Sequence, residues 1–582
     1  MQTRLKEWFL SNWLYGNGYT STNISSTAPA HELPDLYEAT VAELQDGLDS
    51  NRFSSVDLVK AYIGRIEEVN LKGPALRAVL EINPVAVEQA SQLDKERRSN
   101  RKRGPLHGIP LLLKIRIGLT VTLSPADEAS VRLKSYAVGM RTTAGSFALQ
   151  DSIPPKDAGV VTKLREAGAV ILGKANLSEF GQFRSHKLTG GWSALGGQGT
   201  NAYYPNGDTC GSSSGSAVAV SIGLCALALG TDTTGSITFP ASRNNIVGIK
   251  PTVGLTSRAG GTSLTLDSIL VFAHIKILVV PISSHQDTVG PLTRSVTDAA
   301  ILLSAIAGPD PNDNATSSQP FPLPKYIDAL DPNSLAGKRI GVPRKVFIDS
   351  ETHPVIIAAF EDSLEIMRKM GAIIVDPADL PSADDLIKNG WMDEELICLV
   401  DFKIDINKYL SELKESPSGV RTLEDLIEFI EGHPDLEQPR GYEDQSVFLE
   451  SNNTAGYNAE LLEILERKTR LSGEQGIDAV LSKYNLDALV APHSTFQAAA
   501  SANAGYPMIQ VPLGFFPDDT LPAALDDGPT FYPAPGTPFG ISFFASAWSE
   551  YHLLGMAYAF EQKTQTRLKR RAYTKAIPST QL

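Results

Sequence analysis

The chain has 582 residues, 42% of them hydrophobic and 20% charged, with 47 Gly and 37 Pro, which is the composition of a folded globular protein long enough to bury a sizeable core. Lys and Arg number 52 against 66 Asp and Glu, a net charge of −14. A field of that sign repels phosphate backbones and anionic lipid, so nucleic acid and membrane surfaces are excluded as first partners.

Residues 1–34 read as an N-terminal extension. Met1 to Thr20 holds only scattered apolar residues, so no signal peptide is expected and a cytoplasmic location is favoured over a secreted one. Residues 35–70 place Val41, Leu44 and Leu48, then Val56, Leu58, Val59, Tyr62, Ile63 and Ile66 at helical spacing. That predicts two amphipathic helices, the second N-capped by Ser54 or Ser55. A third helix through Val85–Leu93 leads into the basic run KERRSNRKR, read as a solvated face. Gly104, Pro105, Gly108 and Pro110 then punctuate the approach to an apolar strand, Leu111–Leu113.

A helix starting near Asp157 and the strand AVILG form a pair that repeats at 338–376. Such alternation predicts an α/β layered fold with a largely parallel sheet. Segment 269–282 is the most apolar, but it is too short to span a bilayer and carries His274 and Lys276. Residues 384–480 are helical and charged without a strand signal. Buried strands follow at 486–492, 507–513 and 540–546, with a closing helix from Ser549 to Gln562 and a tail over 566–582. One large domain with a helical insertion fits this order. The three cysteines, Cys210, Cys225 and Cys398, show no disulfide or metal-ligand spacing and read as inert thiols; no metal is expected.

Residues 205–240, PNGDTCGSSSGSAVAVSIGLCALALGTDTTGSITFP, join two serine-rich turns. The uncharged small-residue stretch between them predicts one buried helix over 216–229. The first turn lacks the Lys of a P-loop. It does fit G-x-S-x-G, with Ser213 as nucleophile, but the loop alone reads better as a plain Gly/Ser loop or an anion-binding helix N-terminus. Lys114 and Lys174 each end an apolar strand, and spacing alone does not separate them as candidate bases. His107, His285 and His493 are weaker candidates, His107 reading better as a partner of loop backbone.

GSSSGSAVAV followed by GTDTTGSITFPASRNNIVGIKPTVGLTSRAG resembles the signature region of the amidase signature family, serine amidohydrolases with a Ser-cisSer-Lys triad. GPLHGIPLLLK, TTAGSFAL, DAGVVTKLREAGAVILGKANLSEF, ISSHQDTVGPLTRSVTDAA, LDALVAP and WSEYHLLGMAYAFEQKT resemble it in the same order, covering most of 35–565. The CGSSSGSAVAV loop looks most like the peptide amidase branch and its fungal relatives. The resemblance implies an α/β amidase signature fold, a large twisted mixed β-sheet covered on both faces by helices, with its signature core at 104–300. It puts the nucleophile on Ser236, the bridging serine on Ser212 and the base on Lys114, leaving Lys174 a structural contact. Thr233, Thr234, Gly235 and Ser236 would supply an oxyanion hole, with Ser213 and Asp232 in support.

The implied reaction is cofactor-independent hydrolysis of a carboxamide through an acyl-enzyme. A lysine serves as base if burial keeps it neutral. The expected partner is a small-molecule or peptide amide, with a homodimer as the assembly state considered. The alternatives are the glutamine-hydrolysing subunit of a tRNA-dependent amidotransferase, and a catalytically impaired amidase scaffold. Impairment enters because this chain departs from the family at two insertions, 115–138 directly behind the base and 261–279 after SRAG; Thr238 and Ser214 are smaller departures.

Overall fold

A computed structural model describes residues 34–118, 140–259, 279–348, 352–493, 495–525 and 528–581. Most of the extension at 1–34, and of the insertions at 115–138 and 261–279, lies outside the described residues.

Eleven strands form one sheet: β1 Val79–Ile82, β2 Pro110–Lys114, β3 Val170–Ala175, β4 Leu227–Asp232, β5 Val247–Lys250, β6 Thr288–Thr293, β7 Arg339–Gly341, β8 Ile373–Val375, β9 Ala488–Pro492, β10 Met508–Phe515 and β11 Pro538–Phe544. Their spatial order is β1-β3-β2-β4-β6-β5-β10-β11-β9-β7-β8. The largely parallel sheet expected from strand–helix alternation is present only toward the two flanks. There β2 runs parallel to β3 and β4, and β7 runs parallel to β8 and β9. The central pairings, β4–β6, β5–β6, β5–β10 and β10–β11, are antiparallel. The sheet is therefore mixed.

Both N-terminal helices form as their apolar spacing predicts, at Val41–Asp49 and Ser55–Val69, each closed by a reciprocal capping box. Ser54 is the cap of the second: it accepts from Asp57 N, and the Asp57 carboxylate accepts from Ser54 N, so two helix-end donors are satisfied at once. Their apolar faces enter one core with β2, β3 and β4, while helices Val296–Ile306, Pro354–Lys369 and Glu550–Thr564 contribute to a second core around β9, β10 and β11. Among the described residues no helix is long and apolar enough to cross a membrane.

The single helix expected over 216–229 is instead a helix, Ser214–Ser221, followed by β4. Gly223 makes the break. It has φ +70, and a Cβ there would sit 2.0 Å from Leu36 O; only a residue without a side chain fits both conditions. The break turns the chain back so that β4 delivers its C-terminal end, Asp232, to the second serine turn.

The 384–480 segment is helical, with helices Trp391–Ser411, Leu423–Gly432, Ser446–Asn452 and Ala459–Ser472. Its apolar side, including Phe402, Ile406, Leu410, Leu426 and Phe448, packs on Ala144, Leu149 and Phe180 of the body. Glu437 anchors it further, accepting from Ser146 Oγ at 2.7 Å and Phe147 N at 2.8 Å. The 566–582 tail also packs down: Arg567 is buried and donates to Asn245 O at 2.7 Å and Ser221 O at 2.8 Å.

Gly223→Ala should destabilise the protein by more than the backbone strain of about 1–3 kcal/mol, because its Cβ also meets Leu36 O, whereas Gly419→Ala should show the strain only. Thermal unfolding checks this, with Gly419→Ala as control, since Gly419 also has positive φ but open space around it.

Candidate active site

Lys114 is the last residue of β2, and its side chain is fully buried. Its Nζ lies 2.8 Å from Ser212 Oγ, 2.9 Å from Ser213 Oγ and 3.2 Å from Thr231 O. A neutral amine has two hydrogens and one lone pair. Ser213 Oγ donates to Thr231 O at 3.1 Å, so it can accept from the amine, as can Thr231 O. The amine's lone pair is then left for the Ser212 hydroxyl. Burial pushes the Lys114 amine well below its ordinary value, and the Arg116 charge lowers it further; Asp232 and Asp287 pull the other way.

Lys174 is also buried, but it cannot share this site. The β2–β3 register pairs Lys114 with Ala175 and Lys174 with Leu113, so the two lysines leave opposite faces of the sheet. Lys174 pairs instead with Glu81 on β1 and donates to Ile117 O. Burial lowers the lysine and raises the glutamate, so the pair meets with less charge than it would carry in water.

Ser212 follows a cis Gly211–Ser212 peptide bond, and Ser212 and Ser213 are both fully buried. Ser236 is half-buried and lies between the end of β4 and the helix Thr238–Arg243. The two serine turns meet through backbone: Ser213 N donates to Ser236 O at 3.1 Å. Of the three serines, Ser213 is committed to Lys114 and to the Thr231 backbone, and Ser236 alone reaches the surface.

Three carboxylates hold the Ser236 turn. Asp232 accepts from Gly235 N at 2.7 Å and from Ile237 N at 2.6 Å. The Gly235 N–H therefore points at Asp232 and is not free for an oxyanion, a correction to the four-donor expectation. Gly235 serves the turn by its conformation, φ +80. Thr233 Oγ1 donates to Asp287 Oδ1 at 2.5 Å, and Thr234 Oγ1 donates to Glu394 Oε1. Glu394 belongs to the helical insertion, which therefore reaches the site directly. Gln286 joins the same cluster, its Nε2 donating to Glu394 Oε1 at 3.2 Å while its Oε1 accepts from buried Lys468. Gln286 and Asp287 lie in the ISSHQDTVGPLTRSVTDAA motif but were given no role from the sequence, and Glu394 and Lys468 carried no motif signal.

None of His107, His285 and His493 bonds to Lys114. His107 Nε2 is 2.9 Å from Leu93 O, bonded to loop backbone as expected. His493 packs edge-on against Phe239 and is pushed down to about 3 by burial, so it stays neutral. His285 bonds Asp401 at 2.8 Å and is partly exposed. Burial raises the Cys210 thiol to about 11 and Cys225 to about 12, and it raises Cys398 as well, which fits inert thiols.

A family model described as Amidase matches residues 57–123 and 130–554. The chain belongs to the amidase family. A relative from Arthroderma benhamiae named "Putative amidase" is 40% identical over 562 residues, covering 93% of this chain and 88% of its own. Among solved structures, native peptide amidase from Stenotrophomonas maltophilia superposes with a TM-score of 0.77 at 38% identity, covering 94% of this chain and 100% of that one. A glutamyl-tRNA(Gln) amidotransferase subunit from Geobacter metallireducens is more distant, 30% identical over 535 residues, covering 91% of this chain and 98% of its own. The amidase is thus a hydrolase acting on amide C–N bonds, with the mixed sheet and helical layers of its family.

Asp232→Ala should leave the buried N–H groups of Gly235 and Ile237 without their acceptor and let the Ser236 turn shift. Displacement of about 1 Å can cost on the order of a hundredfold in rate. The expected result is a fall of that size in kcat for a carboxamide with the fold retained, read by steady-state kinetics beside circular dichroism.

Proposed function

We propose that this amidase hydrolyses a carboxamide through an acyl-enzyme on Ser236, with Ser212 as the proton bridge and Lys114 as the base. The observation that carries the reading is the contact of a fully buried Lys114 amine with Ser212 Oγ at 2.8 Å. A serine hydroxyl is a weak nucleophile until a base takes its proton. In this scheme Ser236 passes its proton to Ser212 as Ser212 passes its own to Lys114. Ser236 Oγ bonds to the amide carbon, and the carbonyl oxygen takes up the negative charge.

The same protons return through Ser212 to the departing nitrogen as the C–N bond breaks, releasing ammonia or an amine. Water then enters by the same route, splits the ester and restores Ser236. The N–H groups of Thr233, Thr234 and Ser236 are the proposed oxyanion donors, each worth about 3–4 kcal/mol in comparable sites. Asp232 and Ser213 act in support, the first by fixing the turn, the second by orienting the lysine.

For the substrate we infer a peptide-like carboxamide, on the strength of the likeness to the peptide amidase over nearly the whole chain. The amidotransferase role has the more distant relatives in its favour. A screen of C-terminal peptide amides beside glutamine tests this: release of ammonia from the peptide amides and not from glutamine is expected, and the reverse would move the protein to the other role.

A fluorophosphonate probe should label the wild-type chain and fail on Ser236→Ala. Labelling that persists in that variant would place the nucleophile elsewhere. Lys114→Ala should lose on the order of a thousandfold or more in kcat, because a base of this kind contributes about 10²–10⁴-fold. Lys174→Ala should act chiefly on stability, since it strands Glu81 in the core. Activity should rise from acidic to alkaline pH as Lys114 gives up its proton, with the rise lying well below the ordinary lysine range.

A further inference from the structure

Two residues beyond Lys114 the chain places Arg116, also fully buried. Ile115 N donates to Ala175 O at 3.1 Å, continuing the ladder past the end of β2. Val280 N donates to Arg116 O at 2.9 Å, fixing the next step against the segment that leads to β6. The guanidinium donates to Val280 O through Nε at 2.7 Å and again through a terminal nitrogen. Its carboxylate neighbour is Asp287, whose Oδ2 is 3.7 Å away. An arginine does not give up its proton in proteins. A permanent positive charge is therefore built into the core next to the lysine.

Asp287 is shared in an informative way. Oδ1 accepts from Thr233 Oγ1 at 2.5 Å, on the nucleophile turn, while Oδ2 accepts from Ile282 N at 2.8 Å and faces Arg116. One carboxylate thus links the proposed nucleophile's turn to the cation beside the proposed base. We propose that Arg116 and Asp287 are positioning residues for this reaction, a charge pair set beside Lys114 whose carboxylate also locks Thr233 of the serine turn.

This rests on the reading of Lys114 as the base. The charged and titratable groups around it come from every neighbouring element. Asp232 at the end of β4 and Asp287 before β6 favour the ammonium, and Arg116 disfavours it, with the hydroxyls of Ser212 and Ser213 in contact. Arg116 is faced by Asp287 and by the Tyr409 phenol of helix Trp391–Ser411. Asp287 is felt in turn by Arg258 after β5 and by Cys398 and Asp405 of that helix. Charges of opposite sign near one amine give the pair a signature that packing alone lacks. Removing one charge must move the lysine's titration up, and removing the other must move it down.

The test is the pH profile of kcat/KM for a peptide amide, whose acid limb reports the free enzyme's base, on wild type, Arg116→Gln, Arg116→Lys and Asp287→Asn. Arg116→Gln should move the limb up by about one pH unit, the size expected of a nearby charge in a partly polarisable interior. Arg116→Lys should fall between wild type and Arg116→Gln, because burial partly discharges a lysine at that depth, and Asp287→Asn should move the limb down and lower kcat through Thr233. Circular dichroism establishes that each variant is folded. Limbs unmoved, or moved the same way by both neutral variants, would overturn the proposal. If Arg116→Gln does not fold, Asp287→Asn decides: a lower limb supports the pair, and an unmoved or higher one overturns it. A wild-type profile with no acid limb would instead remove the lysine base itself.

Discussion

The architecture turns on one lysine amine held out of water against two hydroxyls. An ammonium in that position would need solvent or a contacting carboxylate. Among the described residues Lys114 meets neither, only oxygens of Ser212, Ser213 and Thr231. In the proposed mechanism burial does the chemical work that a histidine does in other serine hydrolases, by favouring the free base. β2 has to be fully buried to supply that environment, and its burial requires the N-terminal helices over one face. The strand order follows from the same need, since β2 must meet β4 on one side and β3 on the other for the lysine to reach the first serine turn.

Around that amine the fold separates two tasks. The first serine turn is sealed: Ser212 and Ser213 are buried and touch the lysine. The second is clamped by carboxylates from three places, Asp232 at the foot of the turn, Asp287 from the segment before β6 and Glu394 from the helical insertion. Each binds a different residue of the turn, so the path of the backbone through Thr233, Thr234, Gly235 and Ser236 is fixed from below and from both sides. Because Glu394 comes from the 384–480 segment, the helical insertion also helps to set the geometry of the turn that carries Ser236.

Much of this was legible in the sequence, and its gaps have physical causes. Helical spacing located both N-terminal helices, because their apolar stripes are read directly by the core. The serines and Lys114 followed from motif resemblance. Spacing could not separate Lys114 from Lys174, since both end apolar strands; the strand register does so by pointing them to opposite faces. The small-residue stretch after Ser216 read as one helix because Ala and Gly carry little periodic signal, and the deciding feature, the close approach of Leu36 O to Gly223, is a tertiary contact. Arg116 and Glu394 were silent for the same reason, and Asp287, although inside the ISSHQDTVGPLTRSVTDAA motif, had no role that the motif alone assigns. Their partners lie far off in sequence, and no local pattern marks an acid that will meet a threonine hydroxyl after folding. The excess of proposed oxyanion donors came from counting turn residues without knowing where Asp232 would bind.

The most direct measurement is the titration of the Lys114 side chain itself, followed by the carbon-13 shift of its ε-carbon in labelled protein, assigned by comparison with Lys114→Met. A free amine at neutral pH, taking up its proton only well toward the acid side of an ordinary lysine, is the result this account predicts. An ε-carbon that stays in the ammonium form until about pH 10, the unperturbed range for lysine, would contradict it.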